Sequence, residues 1–235
     1  MSDSSFLFKQ FIIRHDRCAM KVGTDGVLLG AWAPVAQAHT ALDVGTGTGL
    51  VALQLAQRNP FLCVTAIEID APAAMQAAEN VIASPWPDRI EVVCTDFKDF
   101  QPAAGFDLIV SNPPYYVDAL PCSDHQRNTA RHADSLNYDL LFLRSARLLN
   151  EGRLVSIIIP SEMESQAEDA AWMQGLYPQR RTRVYTKAGQ SARRVLITFD
   201  RRLEPVDEDT LYIHQANGDY TNDYRRLTGE FYLKF

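Results

Sequence analysis

The run Ala41-Leu-Asp-Val-Gly-Thr-Gly-Thr-Gly-Leu50 decides how the rest of the chain is read. It opens as a short apolar strand, and three glycines, Gly45, Gly47 and Gly49, stand where that strand should end. From Leu50 to Gln57 the apolar residues change to helical spacing, with Leu50, Leu53 and Ala56 or Leu55 able to share a face. Glycines at a strand-to-helix turn let a ligand approach the backbone and let strand and helix pack closely. The spacing is G-x-G-x-G. A dinucleotide fingerprint would need its third glycine where Leu50 stands, and no lysine follows as a phosphate-gripping loop requires.

Working outward, further strands read at Cys63 to Ile67, Arg89 to Cys94, Phe106 to Ser111 and Arg153 to Ile159. Helices read at Ala71 to Ile82 (ended by Ser84-Pro-Trp-Pro87), Asn137 to Leu149 and Ser161 to Trp172. Strands alternating with helices imply βαβ units, hence an α/β fold with a mainly parallel sheet and helices on both faces. Arg181 to Tyr185 and Arg194 to Phe199 are joined by too few residues for a parallel crossover, so they form a C-terminal antiparallel hairpin and complete a seven-stranded sheet. Residues 6–22 alternate loosely and predict a hairpin turned at His15-Asp16-Arg17. Thr24 is placed to cap a helix from Asp25 to Trp32, which Pro34 closes. Residues 1–34 are expected to pack on a catalytic unit spanning 35–235. The aromatic-rich tail from Leu211 is expected to dock on it.

With 235 residues, 46% of them hydrophobic, the chain can bury one sizeable core. No apolar run approaches the roughly 20 residues of a membrane helix, and Met1 to Ser5 lack the basic start and apolar stretch of a signal peptide. A cytoplasmic monomer is the expectation. Cys18, Cys63, Cys94 and Cys122 form no C-x-x-C pair, and the five histidines are scattered, so no metal is implied. Cys63 and Cys94 lie in apolar runs and are expected to be buried thiols. The net charge of −6 argues mildly against nucleic acid, but charge is unevenly placed. Arg180, Arg181, Arg183, Lys187, Arg193 and Arg194 fall within sixteen residues that contain no acid, while acids crowd from Glu204 to Asp209.

Ligands of open α/β sheets collect outside the carboxyl ends of the strands. Glu68 ends the second strand of the sheet, 19 residues after Gly49, where a carboxylate can accept from both hydroxyls of a ribose; Asp70 is the fallback. Asp96 ends the third, followed by Phe97; the pair suits an adenine amino group and ring. Asn112, Pro113, Pro114 and Tyr115 end the fourth. The Asn112 side-chain oxygen and the Pro113 carbonyl can hold the two N–H bonds of a planar amine, the prolines fix φ, and Tyr115 offers a stacking face. By itself this tetrapeptide does not choose between adenine, cytosine and a glutamine carboxamide.

Asp43 through Gly49, Glu68, Asp96 and Asn112 through Tyr115 match in order and spacing the motifs of class I S-adenosylmethionine-dependent methyltransferases, which the chain resembles over roughly residues 40–200. Lys21-Val-Gly-Thr-Asp-Gly-Val-Leu-Leu-Gly-Ala-Trp32 and Glu230-Phe-Tyr-Leu-Lys-Phe235 resemble more narrowly the bacterial tRNA(Val) adenosine-37 N6-methyltransferase family. That resemblance implies a Rossmann-like class I fold, S-adenosylmethionine as donor, and N6 of the adenosine beside the anticodon of a valine tRNA as acceptor. It also implies that Lys21, Thr24 and Asp25 lie over the donor's methionine end and that Asp43 belongs to the donor site. Arg127 and Arg131, in a polar stretch that reads as a lid, and the six clustered cations would then meet RNA. Two other readings share the scaffold: a protein glutamine N5-methyltransferase, whose family usually carries a helical N-terminal domain, and a non-catalytic RNA-binding factor.

Overall fold

The structure, a computed structural model, describes residues 4–18, 21–114 and 136–235. Ten strands and six α-helices are described: β1 (Ser5–Leu7), β2 (Ile12–Arg14), α1 (Thr24–Trp32), β3 (Thr40–Val44), α2 (Leu50–Arg58), β4 (Cys63–Glu68), α3 (Ala71–Ile82), β5 (Ile90–Cys94), β6 (Phe106–Ser111), α4 (Tyr138–Leu148), β7 (Leu149–Pro160), α5 (Glu164–Trp172), β8 (Tyr177–Tyr185), β9 (Arg194–Asp200), β10 (Asp207–Tyr212) and α6 (Asn222–Thr228).

The main sheet has eight strands in the order β10-β8-β9-β7-β6-β3-β4-β5. From β7 to β5 all neighbours are parallel, and β9 runs antiparallel to both β7 and β8. Alternation along the strands sends side chains to two cores. Ala41, Leu108, Val110, Ile158 and Leu196 face α1, α2 and both chain ends, while Leu42, Val44, Ile109, Ile157 and Ile197 face α4 and α5. The β7–β9 register is pinned inside the sheet, where the paired residues Ser156 and Thr198 share a buried hydroxyl–hydroxyl bond of 2.8 Å.

The α/β class, the parallel β3–β7 run and the β8–β9 hairpin match the sequence expectation. The sheet is larger than predicted by one strand. Asp207-Glu-Asp belongs to the acid-rich run from Glu204 to Asp209, and consecutive acids are poor strand formers. It becomes a strand because β8 offers an edge rich in arginine: Asp207, Glu208 and Asp209 stand opposite Arg180, Arg181 and Thr182 in parallel register. No long crossover is needed, since β9 has already returned the chain to the starting end of β8.

Three local expectations change. The N-terminal hairpin turns at Phe8–Phe11, where Phe8 N–H bonds the Phe11 carbonyl at 2.9 Å and both rings are buried; His15-Asp16-Arg17 lies beyond β2, along α3. Thr24 is the first residue of α1 rather than its cap, which is Gly23. Cys63 and Cys94 are exposed: β5 is an edge strand, and each cysteine sits at a strand terminus outside the helix cover. Cys18 is half-buried, and burial, with Glu68, Asp70 and Asp16 nearby, raises its thiol pKa to about 11. Cys122 lies outside the described residues.

The C-terminal tail packs on α1 and α2, and the N-terminal hairpin is held between that tail and α3. Lys9 N–H bonds the Phe231 carbonyl at 2.8 Å, Gln57 reaches the Glu230 carbonyl at 3.0 Å, and Tyr224 and Phe231 are fully buried. Helix α1 is clamped to β8 by the Trp32 indole N–H, which donates to Thr182 Oγ1 at 2.8 Å, while Arg180 lies 4.5 Å from the Trp32 ring centroid. Gly30 allows α1 to approach α2 closely; a Cβ there would fall 2.3 Å from Gln54 Oε1.

Arg181 is the charge that holds the β8 edge together. It is mostly buried, with Nε 2.8 Å from Glu164 Oε1 and with hydrogen bonds to Glu168 and Glu208; Arg183 adds bonds of 2.8 Å to Glu164 and 3.0 Å to Glu208. Removing such a centre strands acids that have lost solvent. Arg181→Ala should cost about 2–4 kcal/mol in denaturant unfolding, and Glu208→Gln, on the exposed side, less than about 1 kcal/mol; equal effects would mean that burial is not what makes Arg181 matter.

Candidate functional site

Four consecutive strand ends lie in line. Val44 is the register partner of Ile67 on one side and of Ser111 on the other, and Glu68 is paired with Cys94. The residues after β3, β4, β5 and β6 therefore share one edge. The chain leaves β3 toward β4 and β5, then returns on the other flank as β6, so a crevice opens between the β3 and β6 exits. Gly45 follows one exit and Asn112 the other. The two are held together by Ser111 Oγ, which donates to the Val44 carbonyl at 2.9 Å.

Each glycine of the loop has positive φ: 72° at Gly45, 56° at Gly47 and 82° at Gly49. A Cβ at Gly45 or Gly47 would meet nothing within 4 Å, so open space faces their backbone; one at Gly49 would press on Ala77 of α3 at 3.5 Å. The first two glycines thus leave room for a ligand, and the third permits helix packing. Gly45 and Thr46 N–H both donate to the Ile67 carbonyl, at 3.0 and 2.9 Å.

Glu68 closes the loop from the β4 side. Its Oε2 accepts from Gly47 N–H at 2.9 Å and its Oε1 from Asp70 N–H at 3.0 Å. Each oxygen keeps a second acceptor position, as recognition of a diol requires. Asp70, the sequence fallback, is instead the cap of α3, accepting from Ala73 N–H at 3.1 Å. Ile69, between the two acids, is exposed, an apolar side chain standing in solvent at the strand exit.

Asp43 lies behind the loop with its carboxylate engaged by the chain itself. It is 2% exposed, and its Oδ2 accepts from Thr46 Oγ1 at 2.6 Å and from Ala52 N–H at 3.2 Å, which ties loop to helix. Burial raises its pKa to about 7 despite those two bonds. Asp96 accepts from Lys98 N–H at 2.9 Å and lies 3.0 Å from Lys98 Nζ, a turn-forming arrangement at the β5 exit. Phe97 is 5% exposed and packs in the core with Val44, Ile67 and Ile109, so little of its ring faces the edge. Pro113 is buried, Pro114 exposed and Asn112 half-buried. Tyr115, Arg127 and Arg131 lie outside the described residues.

Lys21 is exposed before α1, and Thr24 and Asp25 open that helix at the same sheet edge; Asp25 accepts from Arg194 Nε at 2.8 Å. The basic cluster divides. Arg180, Arg181 and Arg183 are paired with Asp209, Glu164, Glu168 and Glu208. Lys187, in the β8–β9 loop, and Arg193, just before β9, carry no ion pair among the described residues. Among those residues, too, no group of three or more His, Cys, Asp or Glu could hold a metal, and no helix is long and apolar enough to cross a membrane.

Residues 21–135 match the family model described as the methyltransferase small domain. A Bacteroides fragilis protein named tRNA1(Val) (adenine(37)-N6)-methyltransferase is 50% identical, matched over 100% of both chains. One of the same name from Aeromonas hydrophila is 45% identical over 99% of this chain and 98% of its own. Among solved structures, a predicted O-methyltransferase from Agrobacterium tumefaciens superimposes with a TM-score of 0.65 at 19% identity, covering 88% of this chain and 96% of its own. A T. thermophilus 16S rRNA methyltransferase, solved with AdoMet and guanosine, gives 0.59 at 18% identity over 84% of this chain and 50% of its own. At those identities the likeness is one of fold.

The Asp43 carboxyl makes a pH test. Its pKa is raised on folding, so the folded chain holds more protons than the unfolded one between the ordinary carboxylate range and about 7, and stability from this group is lost as pH rises through that window. Asp43→Asn keeps an acceptor for both Thr46 and Ala52 without the charge. The wild type should lose melting temperature relative to this variant between pH 5 and pH 8; parallel pH profiles would show that Asp43 does not titrate there.

Proposed function

The chain belongs to the tRNA1(Val) (adenine(37)-N6)-methyltransferase family, and from that premise we propose that it transfers the methyl group of S-adenosylmethionine to N6 of adenosine 37 in a valine tRNA. The observation that carries the reading is identity of 45–50% over essentially the whole chain with proteins named for this activity. The coincidence of the glycine loop, Glu68 and Asn112 on one sheet edge supports it.

The open face of Gly45 and Gly47, with Glu68 fixed by two backbone amides and left with spare acceptor positions, fits a nucleoside-bearing donor. When bound, S-adenosylmethionine supplies an electrophilic methyl group on a sulfonium. The acceptor side is the work of Asn112 and Pro113. An exocyclic amine is a weak nucleophile because its lone pair is delocalised into the ring. The Asn112 amide oxygen and the Pro113 carbonyl accept its two N–H bonds and turn the lone pair out of the ring plane. Pro113, buried and with φ fixed, holds these acceptors still, and Ser111 anchors them to the β3 exit. The N–CH3 bond forms as the S–CH3 bond breaks, the sulfonium leaves as a neutral thioether, and the proton the amine loses passes to solvent, so orientation of this kind supplies rate without an acid–base group in contact with the amine. Tyr115 is assigned the stacking face for the base, and Asp43 a positioning part behind the loop.

Labelled donor incubated with tRNA lacking the modification should place label in N6-methyladenosine at position 37 on nucleoside mapping. Label found only in a glutamine of a release factor would replace this reading with the protein-directed one. Asn112→Ala should abolish transfer while donor affinity, by calorimetry, stays within about threefold, because the amide serves the acceptor; substantial residual turnover would remove the role given to Asn112. Gly47→Ala should instead weaken donor binding, by about tenfold or more, since a Cβ enters the open cradle and strains a positive φ.

A further inference from the structure

Further along the same sheet edge, away from the glycine loop, lies a cavity of about 730 Å³. Its wall is assembled from distant parts of the chain: Thr24 and Asp25 at the start of α1, Thr186 after β8, Arg193 before β9, and the tail from Ile213 to Phe235. Thr24 and Asp25, which the family resemblance sets over the donor's methionine end, form only its near wall, and the rest of the lining is shared with neither the glycine loop nor Asn112. Its volume is within the range of small-ligand sites, roughly 300–1,000 Å³.

Two properties of the lining specify an occupant. The first is ring surface. His214 stacks on Tyr220 with centroids 4.8 Å apart, and Tyr220 on Tyr224 at 5.0 Å, making a three-ring column. Phe235 meets Tyr220 edge-on at 5.6 Å, with Arg225 5.8 Å from the Phe235 centroid. The second is charge. Arg193, Arg194 and Lys234 line the cavity against one acidic side chain, Asp25, which Arg194 already engages. Arg193 and Lys234 are exposed and make no ion pair among the described residues, unlike the arginines of β8. Tyr220 is covered on both faces and Tyr224 is buried, so the ring surface left open is that of half-buried His214 and exposed Phe235; such rings beside cations without an ion pair are the chemistry of single-stranded nucleic acid recognition, stacking for the base and charge for its phosphate.

We propose that this cavity binds a nucleotide of the RNA substrate other than the methylated one, seated against the tail aromatics with its phosphate on Arg193 and Lys234. The proposal rests on the tRNA reading above and deepens it. A base held here, on the edge that also carries Asn112, anchors the strand on one side while the target base turns into the crevice. The C-terminal tail is thereby a substrate-binding element as well as part of the core.

The test is steady-state transfer into tRNA as salt is varied, with donor affinity measured separately by calorimetry. In Arg193→Ala/Lys234→Ala the KM for tRNA should rise about tenfold, with the loss on KM rather than kcat, and the slope of log KM against log salt should shrink by about one per lost phosphate contact. Phe235→Ala, with Phe235→Leu as the variant that keeps apolar packing, should raise KM by about tenfold with an unchanged salt slope. Donor affinity should stay within twofold throughout. If the wild type methylates tRNA and these variants keep its KM within twofold, the proposal is overturned. A donor affinity that moves with KM overturns it equally, by placing the cavity in the donor site. A wild type that does not methylate tRNA at all removes the functional reading first, and this inference with it.

Discussion

The register of four parallel strands is the constraint on which everything else in this molecule depends. Val44 is flanked by Ile67 and Ser111, and Glu68 by Cys94, so the chain emerges from β3, β4, β5 and β6 at one level. A slip of one residue in a strand buried on both faces would exchange the two cores and set the exits out of line. Because the register holds, Gly47 N–H reaches Glu68 across a strand boundary and Ser111 reaches Val44 across another. The same level continues through the end of β8 and the start of β9, which brings the aromatic tail to the edge where the glycine loop stands.

Ionisable groups here serve placement more than contact. Asp43 sits on the strand that leads into the glycine loop, yet its carboxylate is spent on Thr46 and Ala52, and burial moves its pKa to about 7. Arg181 stands in the middle of the most basic stretch of the chain, yet it is buried among three acids. In both cases a charge that looks available in one dimension is committed once the chain folds. Facing the crevice are the open backbone of Gly45 and Gly47 and the Glu68 carboxylate on one side, and Asn112 and Pro113 on the other.

Much of this was legible before folding. The alternation of apolar runs with helical periods predicted β3 to β7, α2 and α3, and the glycine spacing with Glu68 and Asn112 located the crevice, because local periodicity and turn chemistry carry that information. β10 was not legible, since its acids have no local reason to extend and do so only against Arg180 and Arg181 of β8. The turn at Phe8–Phe11 was hidden because two apolar residues there answer to Tyr232 and Trp86, at the far end of the chain and beyond α3. Phe97 reads as a residue packing near an adenine ring, and in the fold it is 5% exposed within the second core, a burial set by neighbours distant in sequence such as Val44 and Ile109.

By itself the sequence determined the α/β class, the order of the parallel strands' motifs and the residues at their carboxyl ends, because periodicity, glycine conformation and side-chain chemistry are properties of short segments. Only the tertiary structure decided which charges are paired, where the eighth strand lies, and that the two ends of the chain meet. Those depend on partners tens to hundreds of residues away: Arg181 is neutralised by acids from two other segments, Trp32 is locked by Thr182, and Lys9 is held by Phe231 and Gly229. The cavity beside the tail belongs to the same class of facts, since no single stretch of the chain contains more than part of its wall.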